Sequence, residues 1–323
     1  MKRKESVPYK PLILGAKGGK ELTLAHVRGE RRNLLDESLG RFFFEMGVKN
    51  ASKVILRDDF ANQEFTWEEL LHHSLALAAG FHFKLALKRG DKLGNLYSSL
   101  FFSFPLFLFI CPFYSFPFTF LLKTFEGVWL PNGKNWIMTQ VATSLLGIVL
   151  VNLNPAYQLT ELSHALKIGE VNALLLSPRF RATNYTLLLN QLLPFLSSLP
   201  PSPPSPLSSL SPSPPLFPQL NWLILDEKEG EGEERKEERK GERKEEKTEE
   251  RGFWSFSSLF LYSKLSEIKK ELLENVFRHS MKPEQEIINI QYTSATTGAA
   301  KPSLLTSFNI LSHAFSFLFN FKL

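Results

Sequence analysis

Three short runs almost without polar residues, Ile148-Val149-Leu150-Val151, Ala173-Leu174-Leu175-Leu176 and Trp222-Leu223-Ile224-Leu225, constrain this chain more than any other feature. A strand with one face in water alternates apolar and polar residues. A strand that is apolar throughout has both faces covered, as in a parallel sheet with a helix layer on each side. Helical patterns precede and separate the runs: Trp136 to Leu146 ending at Gly147, a helix capped by Thr160-Glu161 that stops at Gly169, and one near 182–196. Strand and helix in alternation predict an α/β fold, with a mainly parallel sheet flanked by helices.

Other elements follow from local signals. Leu34 to Phe44 reads as a short helix with Phe42, Phe43 and Phe44 partly buried, Lys53 to Leu56 as a strand, and Asp58 to Asn62 as a turn. Thr66-Trp67-Glu68-Glu69 is a capping box, because Thr66 can accept from the N–H of Glu69 while the Glu69 side chain reaches back. Apolar residues continue at helical spacing from Leu70 to Leu85, with Lys88-Arg89 and then Gly90 as the stop. His72, His73 and His82 lie on this helix. Adjacent His72 and His73 point about 100° apart and so cannot clasp one metal, which leaves them as solvated side chains. Leu265 to Phe277 reads as an amphipathic helix, and Ile287-Ile288-Asn289-Ile290 as a buried strand.

The chain has 323 residues, 29 of them Phe and 20 Pro, and both types cluster in a few blocks. Asn95 to Leu122 carries no charge. Hydropathy marks 96–122 as a membrane-span candidate, but Pro105, Pro112 and Pro117 disfavour it, since a spanning helix so broken needs protein neighbours for its freed backbone groups. Removing 95–127 joins Lys92-Leu93-Gly94 to Val128-Trp129-Leu130, which reads as one apolar strand. Pro200 to Pro218 is Pro/Ser/Leu-rich, and Glu227 to Arg251 is nearly all Glu, Lys, Arg and Gly; neither can pack a core. Phe, Ser, Leu and Pro have pyrimidine-rich codons, and Glu, Lys, Arg and Gly purine-rich ones. Parts of 95–127 and 199–260, and the ending 315–323, therefore read as translated non-coding sequence.

The net charge is +5, but an acidic excess falls within 226–251 and the basic residues elsewhere are scattered. No basic stripe with interleaved aromatics exists, so nucleic acid is not expected as a partner. The single Cys111 excludes an internal disulfide and a thiolate metal cluster, and suits a reducing compartment.

The stretch Tyr292-Thr293-Ser294-Ala295-Thr296-Thr297-Gly298-Ala299-Ala300-Lys301 follows the last buried strand. Its hydroxyls, glycine and lysine suit either a polar surface turn or a loop whose N–H groups and side chains face phosphate oxygens. It is not the Walker pattern, in which Gly-Lys-Ser/Thr opens a helix.

Set against the segments Phe65 to Leu70, Arg89 to Gly94, Leu130-Pro131-Asn132, Val151 to Tyr157 and Ile288 to Ser294, the ordered chain resembles the acyl-CoA synthetases of the adenylate-forming (AMP-dependent synthetase/ligase) superfamily. It is most similar to the mitochondrial medium-chain branch. The resemblance implies an incomplete large N-terminal domain with disordered insertions. Residues 1–50 form an extension, 51–94 and 128–198 the first α/β portion, 95–127 and 199–260 insertions, 261–314 the strand and phosphate-loop portion, and 315–323 a divergent tail. It further implies ATP, Mg2+ and coenzyme A as cofactors, a fatty or other carboxylic acid as substrate, and a mitochondrial or cytoplasmic setting. The family's loop, Thr-Ser-Gly-Thr-Thr-Gly-x-Pro-Lys-Gly, places Thr293, Ser294, Thr296, Thr297 and Gly298 on phosphate, with Lys301 neutralising the β/γ charge. Here Ala295 replaces the first glycine, Ala300 the proline and Pro302 the last glycine. Alanine costs roughly 1 kcal/mol or more where positive φ is needed, and proline removes an N–H. The resemblance leaves the catalytic set incomplete and assigns no metal ligand.

Overall fold

A computed structural model describes residues 13–14, 22–23, 37–58, 63–96, 134–180, 183–194, 216–226, 253–278, 281–293 and 300–320. The chain divides into Met1–Leu34 and Leu35–Leu323. In the first unit, β1 (Ile13–Leu14) pairs antiparallel with β2 (Leu22–Thr23).

The second unit begins with α1 (Leu39–Lys49), whose start is fixed by the Ser38 hydroxyl accepting from the Arg41 N–H. That cap sets the helix five residues later than the apolar pattern suggests. Phe42 and Phe43 are fully buried, and Phe44 packs against Phe277. The antiparallel pair β3 (Val54–Asp58) and β4 (Gln63–Thr66) leads into α2 (Trp67–Phe83). The capping box forms as the sequence predicts: the Thr66 hydroxyl accepts from the Glu69 N–H, and the Glu69 carboxylate accepts from the Thr66 N–H at 2.8 Å. The helix ends at Phe83, before Lys88-Arg89. Gly90 uses its positive φ of 86° in a later turn, where its N–H donates to the carbonyl of Gly147.

The sheet and its crossovers follow: β5 (Lys92–Leu96), α3 (Lys134–Leu146), β6 (Val149–Asn152), α4 (Leu159–Gly169) and β7 (Ala173–Leu176). A short pair, β8 (Arg179–Phe180) with β9 (Thr183–Asn184), precedes α5 (Tyr185–Leu192). This helix is shorter than the 182–196 pattern because Leu193, the residue before Pro194, leaves helical geometry at φ −128° and ψ 69°. Next come β10 (Trp222–Leu225), β11 (Phe253–Ser255) and α6 (Leu265–Glu271), which a wider helical turn extends over Leu272–Val276. The described chain closes with β12 (Ile287–Thr293), β13 (Lys301–Thr306) and α7 (Ser307–Asn320).

Seven strands form one sheet in the order β11-β10-β7-β5-β6-β12-β13. All pairings are parallel except β12 with β13. This is the mainly parallel α/β sheet that the apolar runs predict. Side chains alternate between two helix layers. Leu93, Leu150, Leu175 and Ile224 pack with α1, α2, α3 and α6, whereas Val151, Leu174, Leu176, Leu223 and Leu225 pack with α4 and α5. Helix α3 is buried on every side from Trp136 to Leu146, which explains why it has no polar face.

Two further details depart from the sequence reading. In α4, Gly169 is the last helical residue and Glu170 takes the left-handed conformation at φ 47°. Glycine is needed at 169 for space, because a Cβ there would lie 2.9 Å from the Tyr292 hydroxyl. Within the span 199–260, β10 is the strand that the Trp222–Leu225 run predicts, but β11 also joins the sheet, and Phe256 and Leu259 are buried in the core. Residues 195–215 and 227–252 lie outside the described residues, as do residues 97–122 of the membrane-span candidate. Among the described residues no helix is long and apolar enough to cross a membrane.

A partly buried ion pair ties the start of the last hairpin to the rest. Arg89 meets Glu286 at 2.7 Å and also donates to the carbonyl of Val276. The second Glu286 oxygen accepts from the Ser307 hydroxyl at 2.6 Å, and that hydroxyl accepts from the Leu39 N–H at 3.0 Å. Arg89 and Ser307 thus meet on one carboxylate just before β12, and each is held by a second partner, Val276 and Leu39 respectively.

Candidate functional site

All parallel strands point their carboxyl ends to one edge of the sheet, where open α/β sheets hold ligands, at the switch in strand order. Here β6 and β7 lie on opposite sides of β5, which places that switch at β5. The edge carries Asn152 at the end of β6, Asn154 and Pro155 after it, Ser177 after β7, Asp226 after β10 and Thr293 at the end of β12.

Two tyrosines hold this edge. The Tyr185 hydroxyl donates to the carbonyl of Pro155 at 2.6 Å, fixing the turn after β6. Burial raises its pKa above the usual phenol value, so it stays a donor. In the same turn, the Asn154 side chain accepts from the Ala156 N–H. The Tyr292 hydroxyl donates to the carbonyl of Ala165 in α4 at 2.7 Å, and its ring meets Tyr157 edge-on. Burial, with Tyr157 as the lesser cause, pushes the Tyr292 hydroxyl up to about 12. The end of β12 is therefore pinned to α4 one residue before the loop begins. After β10, Asp226 accepts from the side-chain amide of Asn135 near the start of α3.

Of the six residues that the sequence singles out, the structure describes two. Thr293 and Lys301 face each other as the last registered pair of the β12–β13 hairpin. The Thr293 hydroxyl donates to the Lys301 carbonyl at 3.4 Å. Both side chains are exposed. Ser294, Thr296, Thr297 and Gly298 lie outside the described residues, within the connection that starts and ends at this pair. A hydroxyl and an ammonium at the mouth of one hairpin suit an anion in charge and in hydrogen-bond chemistry. Pro302 falls in β13, at the rim of the described sheet, where a missing N–H is tolerated.

Among the described residues no group of three His, Cys, Asp or Glu could hold a metal ion. His73 is half-buried, with its Nδ1 2.7 Å from the Tyr262 hydroxyl, whereas His72 is exposed and stacks on the same ring. His73 thus departs from the solvated side chain that its sequence position suggests. Sequence reasoning also missed a row of buried amides on β5, β6 and β12. Polar residues closing otherwise apolar strands are the signal that could have shown them.

Comparisons with known proteins bear on the family and the fold. The family model for AMP-binding enzymes matches residues 126–322. The medium-chain acyl-CoA ligase ACSF2 of Danio rerio is 29% identical over 189 residues, 58% of this chain and 26% of the relative. The ACSF2 of Macaca fascicularis is 25% identical over 298 residues, 90% of this chain and 37% of the relative. The chain thus spans well under half the length of these relatives. Among solved structures, one assigned as a long-chain-fatty-acid CoA ligase from Rhodopseudomonas palustris superimposes with a TM-score of 0.53 at 14% identity, covering 89% of this chain and 49% of that one. At that identity the likeness concerns the fold. With the family model spanning more than half of the chain, this protein belongs to the AMP-binding enzyme family of adenylate-forming ligases.

Proposed function

We propose that the loop between β12 and β13 grips the phosphates of ATP, and that this chain is part of an ATP-dependent ligase joining a carboxylic acid to coenzyme A. The observation that carries the reading is the pairing of Thr293 with Lys301 at the hairpin mouth, on the carboxyl edge of the sheet. Thr293, Ser294, Thr296, Thr297 and Gly298 supply hydroxyl and N–H donors, and Lys301 offsets the β/γ charge. In the complete ligase, a carboxylate oxygen attacks the α-phosphorus and pyrophosphate leaves. The coenzyme A thiol then attacks the acyl carbonyl and AMP leaves, carrying the electron pair of the broken C–O bond. Mg2+ bound with ATP would screen the phosphate charge.

A second reading, a non-catalytic member of the family that binds nucleotide without turning it over, draws on Ala295, Ala300 and Pro302. Ala295 and Ala300 narrow the backbone freedom of the loop, and Pro302 removes an N–H from β13 beside it.

Carboxylate-dependent ATP–pyrophosphate exchange, measured beside ATP binding, separates the two. Exchange that disappears in Lys301→Ala supports the ligase. ATP binding without exchange, weakened about tenfold or more in Lys301→Ala, supports the second reading; the fold-change follows from a charge-assisted hydrogen bond of about 1.5–3 kcal/mol. Equal ATP binding by wild type and Lys301→Ala would remove the loop from both readings.

A further inference from the structure

We infer that a row of buried amides below the loop is a binding site for neutral groups that both donate and accept hydrogen bonds. Asn95 on β5 is in register with Asn152 on β6, and Asn152 with Gln291 on β12. Adjacent strands lie about 4.8 Å apart, so the three positions span roughly 10 Å across the carboxyl end of the sheet. All three face α3. Asn95 stands two residues after Leu93, and Asn152 two residues after Leu150, in the core cluster that includes α3. Asn289, one step deeper on β12, joins the same face, because its amide donates to the Gln140 side chain of α3 at 3.1 Å.

The three asparagines are nearly inaccessible, with Asn95 1% exposed, Asn152 6% and Asn289 0%, whereas Gln291 is partly exposed. Yet Asn95 Nδ2 and Oδ1, Asn152 Nδ2 and Oδ1, Asn289 Oδ1 and Gln291 Nε2 are buried without a hydrogen-bond partner. Buried amide atoms in folded proteins are almost always satisfied, by protein or by an enclosed molecule. The open valences are three donors (Asn95, Asn152 and Gln291) and three acceptors (Asn95, Asn152 and Asn289).

This balance selects the occupant. An anion would use the three amide nitrogens and leave the oxygens repelled, and a cation the reverse. Among the described residues, two charged groups at this end of α3 and β10 are already engaged. Lys134, at the start of α3, donates to Gln63 at 3.0 Å and lies over the Phe65 ring, and Asp226 accepts from Asn135. A water molecule, an amide or a hydroxyl satisfies both halves of the row. The inference does not rest on nucleotide binding at the loop above, and Lys301→Ala leaves the row intact.

Two sources of the same chemistry, ordered water and a small neutral ligand, are separated by experiment on the full chain. Propionamide is the ligand probe and propionate the charged control. A ligand site shows a saturable rise in melting temperature with propionamide, none with propionate, and loss of the rise in Asn152→Leu. Asn152→Ser keeps one donor and one acceptor and retains part of the rise, so the test stands even where the leucine variant does not fold. A water site shows no propionamide effect, but a crystal structure shows ordered density bridging Asn95, Asn152 and Gln291. An empty row without density and without a propionamide effect overturns the proposal, whatever Asn152→Leu does to the melting temperature.

Discussion

Single side chains hold the carboxyl edge in place, and their roles can be weighed one at a time. Tyr185 is fully buried, and its hydroxyl serves the Pro155 carbonyl. In Tyr185→Phe the ring still packs but the carbonyl loses its donor, so stability should fall by about 1–3 kcal/mol in a urea titration. His73 gives a pH dependence. Burial first, and the neighbouring His72 second, depress its pKa from 6.5, while Glu69 opposes and Lys134 adds slightly. Tyr262 faces its Nδ1 from the 253–264 segment. An unfolded histidine therefore takes its proton at a higher pH than the folded one. The stability associated with His73 is complete above about 6.5 and declines as pH falls below that value. Thermal melts between neutral and acid pH should show this decline, and His73→Gln should flatten it. None of these partners was readable from the sequence. Tyr185 and Pro155 are thirty residues apart, and His73 and Tyr262 far more. Thr293 and Lys301 stood out because their residue types carry the chemistry, whereas the amide row did not, because each asparagine alone looks like an ordinary strand end.

Elements were legible wherever a local rule acted alone. The Thr66–Glu69 box and the three apolar strand runs gave α2, β6, β7 and β10 with small boundary shifts. Boundaries failed where a distant group decided them, as at Gly169 beneath Tyr292 and at the end of α2. Helix α2 packs so closely on the segment after β11 that a Cβ on Gly80 would lie 1.9 Å from the Leu259 carbonyl oxygen. The segment also donates from Leu261 N–H to the Ala76 carbonyl. Gly80→Ala must push these backbones apart, so a loss of about 2 kcal/mol or more is expected in denaturant melts. Thr66→Ala, at the other end of the helix, should cost about 1 kcal/mol. Similar losses for both variants would show that the Leu259 segment yields freely, contrary to the packing described above.

At the scale of the whole molecule, the sheet accounts for the fold and also for its discontinuous chain. The long span 97–133 leads from β5 to α3 and 227–252 leads from β10 to β11, yet these strands are in register with their neighbours. If 95–127 is an insertion, joining Gly94 to Val128 extends β5 with apolar residues, and the shortened chain should fold with its strand and helix content retained by circular dichroism. Loss of that content would show that Asn95 and Leu96 are required where they stand. The strand order has a further consequence in time. β6 waits for β12, whose Asn289 amide reaches the Leu150 carbonyl from 139 residues away. During synthesis, the outer edge of β6 must stay unpaired while the proline-rich and charged stretches pass through the exit tunnel. Closure of such distant pairs is slow, and the waiting edge is open to wrong partners. A chain with this strand order spends its most vulnerable interval on the ribosome, and chaperone dependence would follow from topology alone.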